Sequence, residues 1–177
     1  HLFESMSKNY RNNYNFQKIK NFSKKNNIRL IGMGGSILGS QAIYNFLKNK
    51  IKKKFFFIDS LNNLKDDANK GNYTNLIISK SGNTLETISN ANIYIKKKDK
   101  NIFLTENKKN YLFVLANQLK AEIIHHNNFI GGRYSVLSEV GMLPAELLGL
   151  KNEKFKKFNN LIKNKHFMNT LINNVGT

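Results

Sequence analysis

A chain of 177 residues that is 40% hydrophobic and has no Cys is long enough for one domain with a buried core, and it excludes disulfides and thiolate metal sites. No apolar run approaches the roughly 18 residues of a membrane span and no N-terminal pattern reads as a signal peptide, so no membrane partner is expected and the cytoplasm is the default location. The 29 Lys and Arg against 11 acids give a formal net charge of +18, but only three are Arg (Arg11, Arg29 and Arg133); nucleic-acid sites lean on the guanidinium fork, so a solvated lysine surface is expected and a nucleic-acid partner is not.

Residues 1–27 carry apolar positions spaced mostly by three and four (Met6, Tyr10, Tyr14, Phe16, Ile19, Phe22), which predicts one or two amphipathic helices. From residue 28 the pattern changes. Short apolar runs at 28–31, 55–58, 76–78, 102–104 and 123–124 alternate with helical periodicity at 37–49, 61–70, 84–98 and 110–120. Continuous apolar runs suit strands buried on both faces, and strand–helix alternation at this spacing calls for a parallel sheet. Residues 28–150 therefore read as an open, doubly wound α/β domain with a mostly parallel five-stranded sheet and helices on both faces. Residues 151–177 return to a Lys- and Asn-rich helical pattern (Phe155, Phe158, Leu161, Ile162, Phe167, Leu171, Ile172, Val175) that closes the domain or leads toward a further one.

In sheets of this kind ligands sit outside the carboxyl ends of the strands. Three strand-to-helix loops have unusual residues there. The first, Gly32-Met33-Gly34-Gly35-Ser36-Ile37-Leu38-Gly39, lets backbone approach a ligand closely, and Ser36 is expected to open the next helix, whose free N–H groups attract an anion. Its glycine spacing departs from the dinucleotide fingerprint, and Asp59, a loop residue, is the one acid placed to suit a nucleotide ribose. The second, Ser79-Lys80-Ser81-Gly82-Asn83-Thr84-Leu85-Glu86-Thr87, gathers hydroxyls, a Lys and a Gly at a helix start and suits a phosphate group. An ordinary capped helix, with Asn83 or Thr84 as N-cap and Glu86 in the first turn, would account for part of this pattern. The third is Gly131-Gly132-Arg133-Tyr134-Ser135, where a planar, permanently charged fork stands in a chain that otherwise uses Lys. A helix should begin near Ser138-Glu139 and be kinked or restarted by Pro144.

These three segments, together with Val136-Leu137-Ser138, resemble the glucose-6-phosphate isomerase family in order and spacing. The Ser-rich loop is shared more widely with sugar isomerase (SIS) domains, whereas Gly131–Ser135 points to the isomerase family in particular. The resemblance covers about residues 28–150 and corresponds to the first of that family's two SIS domains, a flavodoxin-like fold. It implies a hexose 6-phosphate substrate, with phosphate binding by Ser79, Lys80, Ser81 and Thr84 and with Ser36 close by. It implies that Gly35 and Gly132 lie against the sugar and that Arg133 is catalytic, stabilising an enediolate. It further implies aldose–ketose isomerisation in glycolysis and gluconeogenesis without metal or organic cofactor, by an enzyme that is a homodimer at full length.

The family takes its catalytic base from a Glu, and its ring-opening group from a His, in segments that follow this domain. Neither segment is in this sequence, so the isolated chain is expected to be an inactive N-terminal piece. The alternative is a stand-alone phosphosugar-binding or regulatory SIS module. His125 and His126 lie at a strand end with no acidic partner nearby in sequence, and are expected to be solvated surface. Glu86 and Glu139 fit helix first turns better than a catalytic role.

Overall fold

Each apolar run forms a strand because both of its faces are covered. The computed structural model describes residues 4–7, 9–24, 27–61, 72–156, 160 and 163–176. Its strands are β1 (Asn27–Gly32), β2 (Lys54–Ile58), β3 (Thr74–Ile78), β4 (Lys100–Glu106) and β5 (Glu122–His126). Its helices are α1 (Phe16–Ile19), α2 (Leu38–Phe46), α3 (Leu85–Tyr94), α4 (Tyr111–Gln118), α5 (Glu139–Leu147) and α6 (Lys165–Val175). The strands lie in the order β2-β1-β3-β4-β5 and every pairing is parallel.

Alternation along each strand sorts the core into two layers. Ile28 and Leu30 share one face with Leu76, Ile78, Ile102 and Leu104, under Tyr44 of α2 and Val140, Leu143 and Leu147 of α5. Ile31, Ile77 and Phe103 turn to the other face, under Ala91 and Tyr94 of α3 and Leu112 and Ala116 of α4. Each such aliphatic side chain removed from water contributes about 1.5–3 kcal/mol. The result is the doubly wound α/β fold that the alternation predicts. Among the described residues no helix is long and apolar enough to cross a membrane.

A polar ladder crosses the second layer near the amino ends of the strands. Arg29, Asn75 and Asn101 are lateral neighbours on β1, β3 and β4. The Arg29 Nη1 donates to Asn75 Oδ1 at 3.1 Å and to the Tyr94 carbonyl at 2.8 Å, and its guanidinium stacks over the Tyr73 ring at 4.1 Å. Asn75 in turn donates to Asn101 Oδ1 at 2.8 Å and Asp99 Oδ2 at 3.2 Å.

Three expectations need correction. The N-terminal segment forms no full amphipathic helix among its described residues, only the four-residue α1 flanked by 3-10 turns at Glu4–Met6 and Lys20–Lys24. Asn15 caps α1 by accepting from the Gln17 N–H, while Ile19 plugs the core. Pro144 does not restart a helix, because α5 runs through it without interruption. The lost proline N–H falls inside a helix whose side chains are almost all buried, and that packing outweighs one missing backbone bond. Ser36 does not open α2 either. It ends a 3-10 turn, Gly34–Ser36, and α2 starts at Leu38. The helix predicted at 61–70 lies, but for residue 61, outside the described residues, as do Phe158, Leu161 and Ile162.

Candidate functional site

Strand order reverses at β1, whose two neighbours are β2 and β3. Loops leaving such a point part to opposite sides and open a crevice at the carboxyl ends of the strands. Gly32 pairs with Ile78, so the loops after β1 and β3 leave the sheet at one level. Glu106 pairs with His126, which places the ends of β4 and β5 side by side at the same edge of the sheet.

The first loop needs glycine twice, for different reasons. Gly34 has φ +55°, a left-handed conformation unfavourable to other residues. Gly35 packs its backbone on the third loop: a Cβ there would overlap the Gly132 carbonyl and lie 2.9 Å from the Arg133 nitrogen. Ser135 seals the junction, its hydroxyl donating to the Gly132 carbonyl at 2.6 Å. The first and third loops are thus one packed unit, which sequence separation alone could not reveal.

The second loop is held from below and open above. Its base is fixed by Ser79 N–H on the Leu104 carbonyl (3.1 Å) and by Glu106 N–H on the Lys80 carbonyl (3.0 Å). Gly82 has φ +66° and presses on the Asn110 side chain, and Asn83 Oδ1 accepts from the Tyr111 N–H at 3.0 Å. The Ser79 and Thr84 hydroxyls are 2.9 Å apart. Thr84 has N-cap geometry but makes no side-chain cap bond, so it does not cap α3 in the ordinary way, and Asn83 spends its oxygen on α4. Ser81 and Asn83 are exposed. Free helix N–H groups flanked by hydroxyls present donors to an anion.

Lys80 follows a different course from its hydroxyl neighbours. Its ammonium donates to the Asn128 and Ile130 carbonyls at 2.9 and 3.0 Å and lies 3.5 Å from Glu106 Oε1. It ties the second loop to the segment before Gly131. Arg133, by contrast, is exposed and has no hydrogen-bond or ion-pair partner among the described residues. A guanidinium left open beside a glycine turn can take a bidentate anion.

The reading of His125 and His126 as solvated surface does not hold. His126 is 2% exposed: its Nε2 lies 3.0 Å from the Ile130 carbonyl and its Nδ1 3.6 Å from Glu139 Oε2. His125 Nδ1 is buried as well, and its ring stacks on Phe113. Glu139 does occupy the first turn of α5, but as a fully buried carboxylate that accepts from the Tyr10 hydroxyl at 2.9 and 3.1 Å and from the Asn13 N–H at 3.3 Å. Burial pushes the Glu139 carboxyl up, but His126, 3.6 Å away, and hydrogen bonds from its own backbone N–H and Tyr10 hold it below the ordinary range. The acid that partners His126 comes from thirteen residues onward and the hydroxyl from the distant N-terminal segment, so no local spacing announced them.

A further hollow of about 700 Å³ lies between the N- and C-terminal segments, lined by Tyr10, Tyr14, Glu146, Asn152 and Lys156 among others.

A five-stranded parallel sheet in 2-1-3-4-5 order, with a hydroxyl loop and an open Arg at its carboxyl edge, defines a doubly wound α/β domain of the sugar isomerase kind. The phosphoglucose isomerase profile matches residues 8–175, and the chain belongs to that family. It is 37% identical over 150 residues to the glucose-6-phosphate isomerase of Acholeplasma laidlawii, covering 73% of this chain and 35% of that protein. It is 36% identical over 156 residues to that of Methanocaldococcus jannaschii, covering 79% and 37%. The chain thus spans little more than a third of the length of these relatives. Among solved structures, a hypothetical protein of Thermus thermophilus superposes with a TM-score of 0.65 at 23% identity, over 77% of this chain and 37% of that one. The tagatose-6-phosphate ketose/aldose isomerase of Escherichia coli gives 0.57 at 16%, over 80% and 44%, and these two likenesses concern the fold.

Proposed function

We propose that this chain is the phosphosugar-binding N-terminal SIS domain of a glucose-6-phosphate isomerase, which interconverts glucose 6-phosphate and fructose 6-phosphate. One observation carries the reading: Gly35 is packed on Gly132, so the loop bearing Arg133 is fixed onto the loop of the switch-point strand β1, beside the hydroxyl loop of β3. The phosphate would be held by the Ser79, Ser81 and Thr84 hydroxyls and the α3 N-terminus, with Ser36 close by. Lys80 would contribute through its backbone and long-range charge, since its ammonium is engaged elsewhere. Gly35 and Gly132 would let the sugar lie against backbone.

In aldose–ketose isomerisation a base moves a proton between C1 and C2 through an enediolate. Arg133 would stabilise that negative charge, a task for a fixed donor that acts more strongly on the transition state than on the substrate. The base itself would come from sequence beyond this domain. Glu139 is fully buried with its oxygens engaged, and His126 is buried beside it, so neither is placed to reach a sugar. That same observation favours the second reading, a phosphosugar-binding module without catalysis. On the leading reading the complete protein is a cytoplasmic homodimer serving glycolysis and gluconeogenesis.

Calorimetry on the chain tests the proposal. Glucose 6-phosphate should bind, and glucose should bind far more weakly. Equal affinity for the two sugars would reduce the second loop to a helix start. Turnover of fructose 6-phosphate by the full-length protein separates enzyme from module.

A further inference from the structure

Two nitrogen-bearing side chains converge on one carbonyl. The Ile130 oxygen lies 3.0 Å from Lys80 Nζ and 3.0 Å from His126 Nε2. Ile130 directly precedes Gly131-Gly132-Arg133 and is itself 1% exposed. Whatever holds its carbonyl sets both the approach of the Arg133 loop and the tether of the second loop.

The His126 ring stands between two oxygens. Nε2 faces a carbonyl, which only accepts. Nδ1 faces Glu139 Oε2, and both Glu139 oxygens already receive donors, Tyr10 OH on each and the Asn13 N–H on one. An oxygen pair used only as acceptor belongs to a carboxylate, and Glu139 stands in the first turn of α5, where the helix dipole favours negative charge. Both ring nitrogens therefore face oxygens, Nε2 at hydrogen-bond distance from the Ile130 carbonyl and Nδ1 at 3.6 Å from the carboxylate, within ion-pair reach but past a hydrogen bond. The side chains of both partners are fully buried, so neither can turn to water instead.

We propose that Glu139 and His126 form a buried ion pair whose imidazolium Nε2–H donates to the Ile130 carbonyl, fixing the Arg133 loop against the Lys80 tether. The two are positioning residues for the phosphosugar site, and this role rests on the phosphosugar reading above. The chain of contacts runs from Tyr10 through Glu139, His126 and Ile130 to Lys80, linking the N-terminal segment to the second loop.

Nitrogen-15 NMR of the histidine-labelled chain at neutral pH, with His126 assigned through His126→Gln, reads the ring directly. Both ring nitrogens should carry protons in the native chain, and Glu139→Gln should convert the ring to a neutral imidazole and shift the amide resonances of residues 131–133. Glutamine at 126 can still donate to the Ile130 carbonyl and leucine cannot. Glucose 6-phosphate affinity should therefore fall about 3- to 10-fold in His126→Leu, the worth of one buried hydrogen bond, and by less than about 2-fold in His126→Gln. A neutral His126 in the native chain overturns the ion pair. Unchanged amide shifts in folded Glu139→Gln or unchanged affinity in folded His126→Leu overturn the positioning role. If the native chain ignores glucose 6-phosphate, the phosphosugar reading fails, and the loop contact is judged by the resonances alone. If Glu139→Gln does not fold, the native spectrum and the contrast between Gln and Leu at 126 decide.

Discussion

Gly35 and Gly132 touch backbone to backbone, with no room for a single methyl between them. Ninety-seven residues of sequence separate two loops that the fold makes into one wall. A Gly35→Ala chain must push the Gly132 carbonyl aside, and overpacking of this kind costs about 1–3 kcal/mol. The melting temperature of a chain this size should fall by about 2–4 °C per kcal/mol, and glucose 6-phosphate binding should weaken in the folded fraction. An unshifted melting curve would mean that the contact is slack.

Two glutamates, Glu139 fully buried and Glu146 half-buried, should respond to pH with opposite signs. Burial pushes the Glu146 carboxyl up; the Tyr14 hydrogen bond and Lys156 only partly offset burial and the Glu153 charge. Its folded pKa lies above its unfolded one, so the fold prefers it protonated. Its contribution is present at acid pH and is lost as pH rises through the folded value. Glu139 is held below the ordinary range, so its contribution is present above the unfolded pKa and is lost as pH falls through the folded value. Relative to the native chain, Glu139→Gln should be destabilised at neutral pH, with the gap closing in acid. Glu146→Gln should be as stable or more stable at neutral pH and lose that advantage in acid. Denaturant midpoints from pH 3 to 8 check both, and parallel curves for the two variants would contradict the assignment.

Arg29 is a structural residue. It is 2% exposed, pinned by Asn75 and the Tyr94 carbonyl and stacked on Tyr73. Burial draws its pKa down while Tyr73, Asp99 and Tyr94 draw it up. Arg29→Met leaves the Tyr94 carbonyl and Asn75 oxygen without that donor, and breaking a buried charged network of this type costs about 3–5 kcal/mol. Arg29→Lys should recover only part of the loss, because an ammonium cannot both stack and reach two acceptors. Chemical denaturation of the two variants tests the ranking.

The strands were legible because burial on both faces makes them unbroken apolar runs, and Ile28, Leu30, Leu76 and Ile102 are all fully buried. The loops were legible because glycine and hydroxyl clusters stand out at strand ends, as at Gly34 and Ser79. Arg29 entered only the charge count, since its partners Asn75 and Tyr94 are brought to it by strand pairing and helix packing. The N-terminal helices failed for a related reason. Spacing by four at Met6, Tyr10 and Tyr14 marks side chains that reach the domain from a largely irregular segment, where Tyr10 meets Glu139 and Tyr14 meets Asn152. His126 was misjudged because its acid sits on another element.

Arg133 contrasts with Arg29: Arg29 is buried in the core, while Arg133 is exposed and has no hydrogen-bond or ion-pair partner among the described residues. An enediolate would place negative charge on adjacent oxygens, which a planar fork can meet with two parallel donors and an ammonium cannot. In the full-length protein Arg133→Lys should therefore lower turnover well beyond any rise in the apparent substrate constant, on the order of 100-fold or more, as loss of a fixed oxyanion donor does. The isolated 177-residue chain should bind glucose 6-phosphate yet show no isomerase turnover, since its buried Glu139 and His126 cannot serve as base. A coupled assay of fructose 6-phosphate production on both proteins decides. Turnover by the isolated chain would place a base within it, and equal losses of binding and turnover in Arg133→Lys would make Arg133 a substrate anchor only.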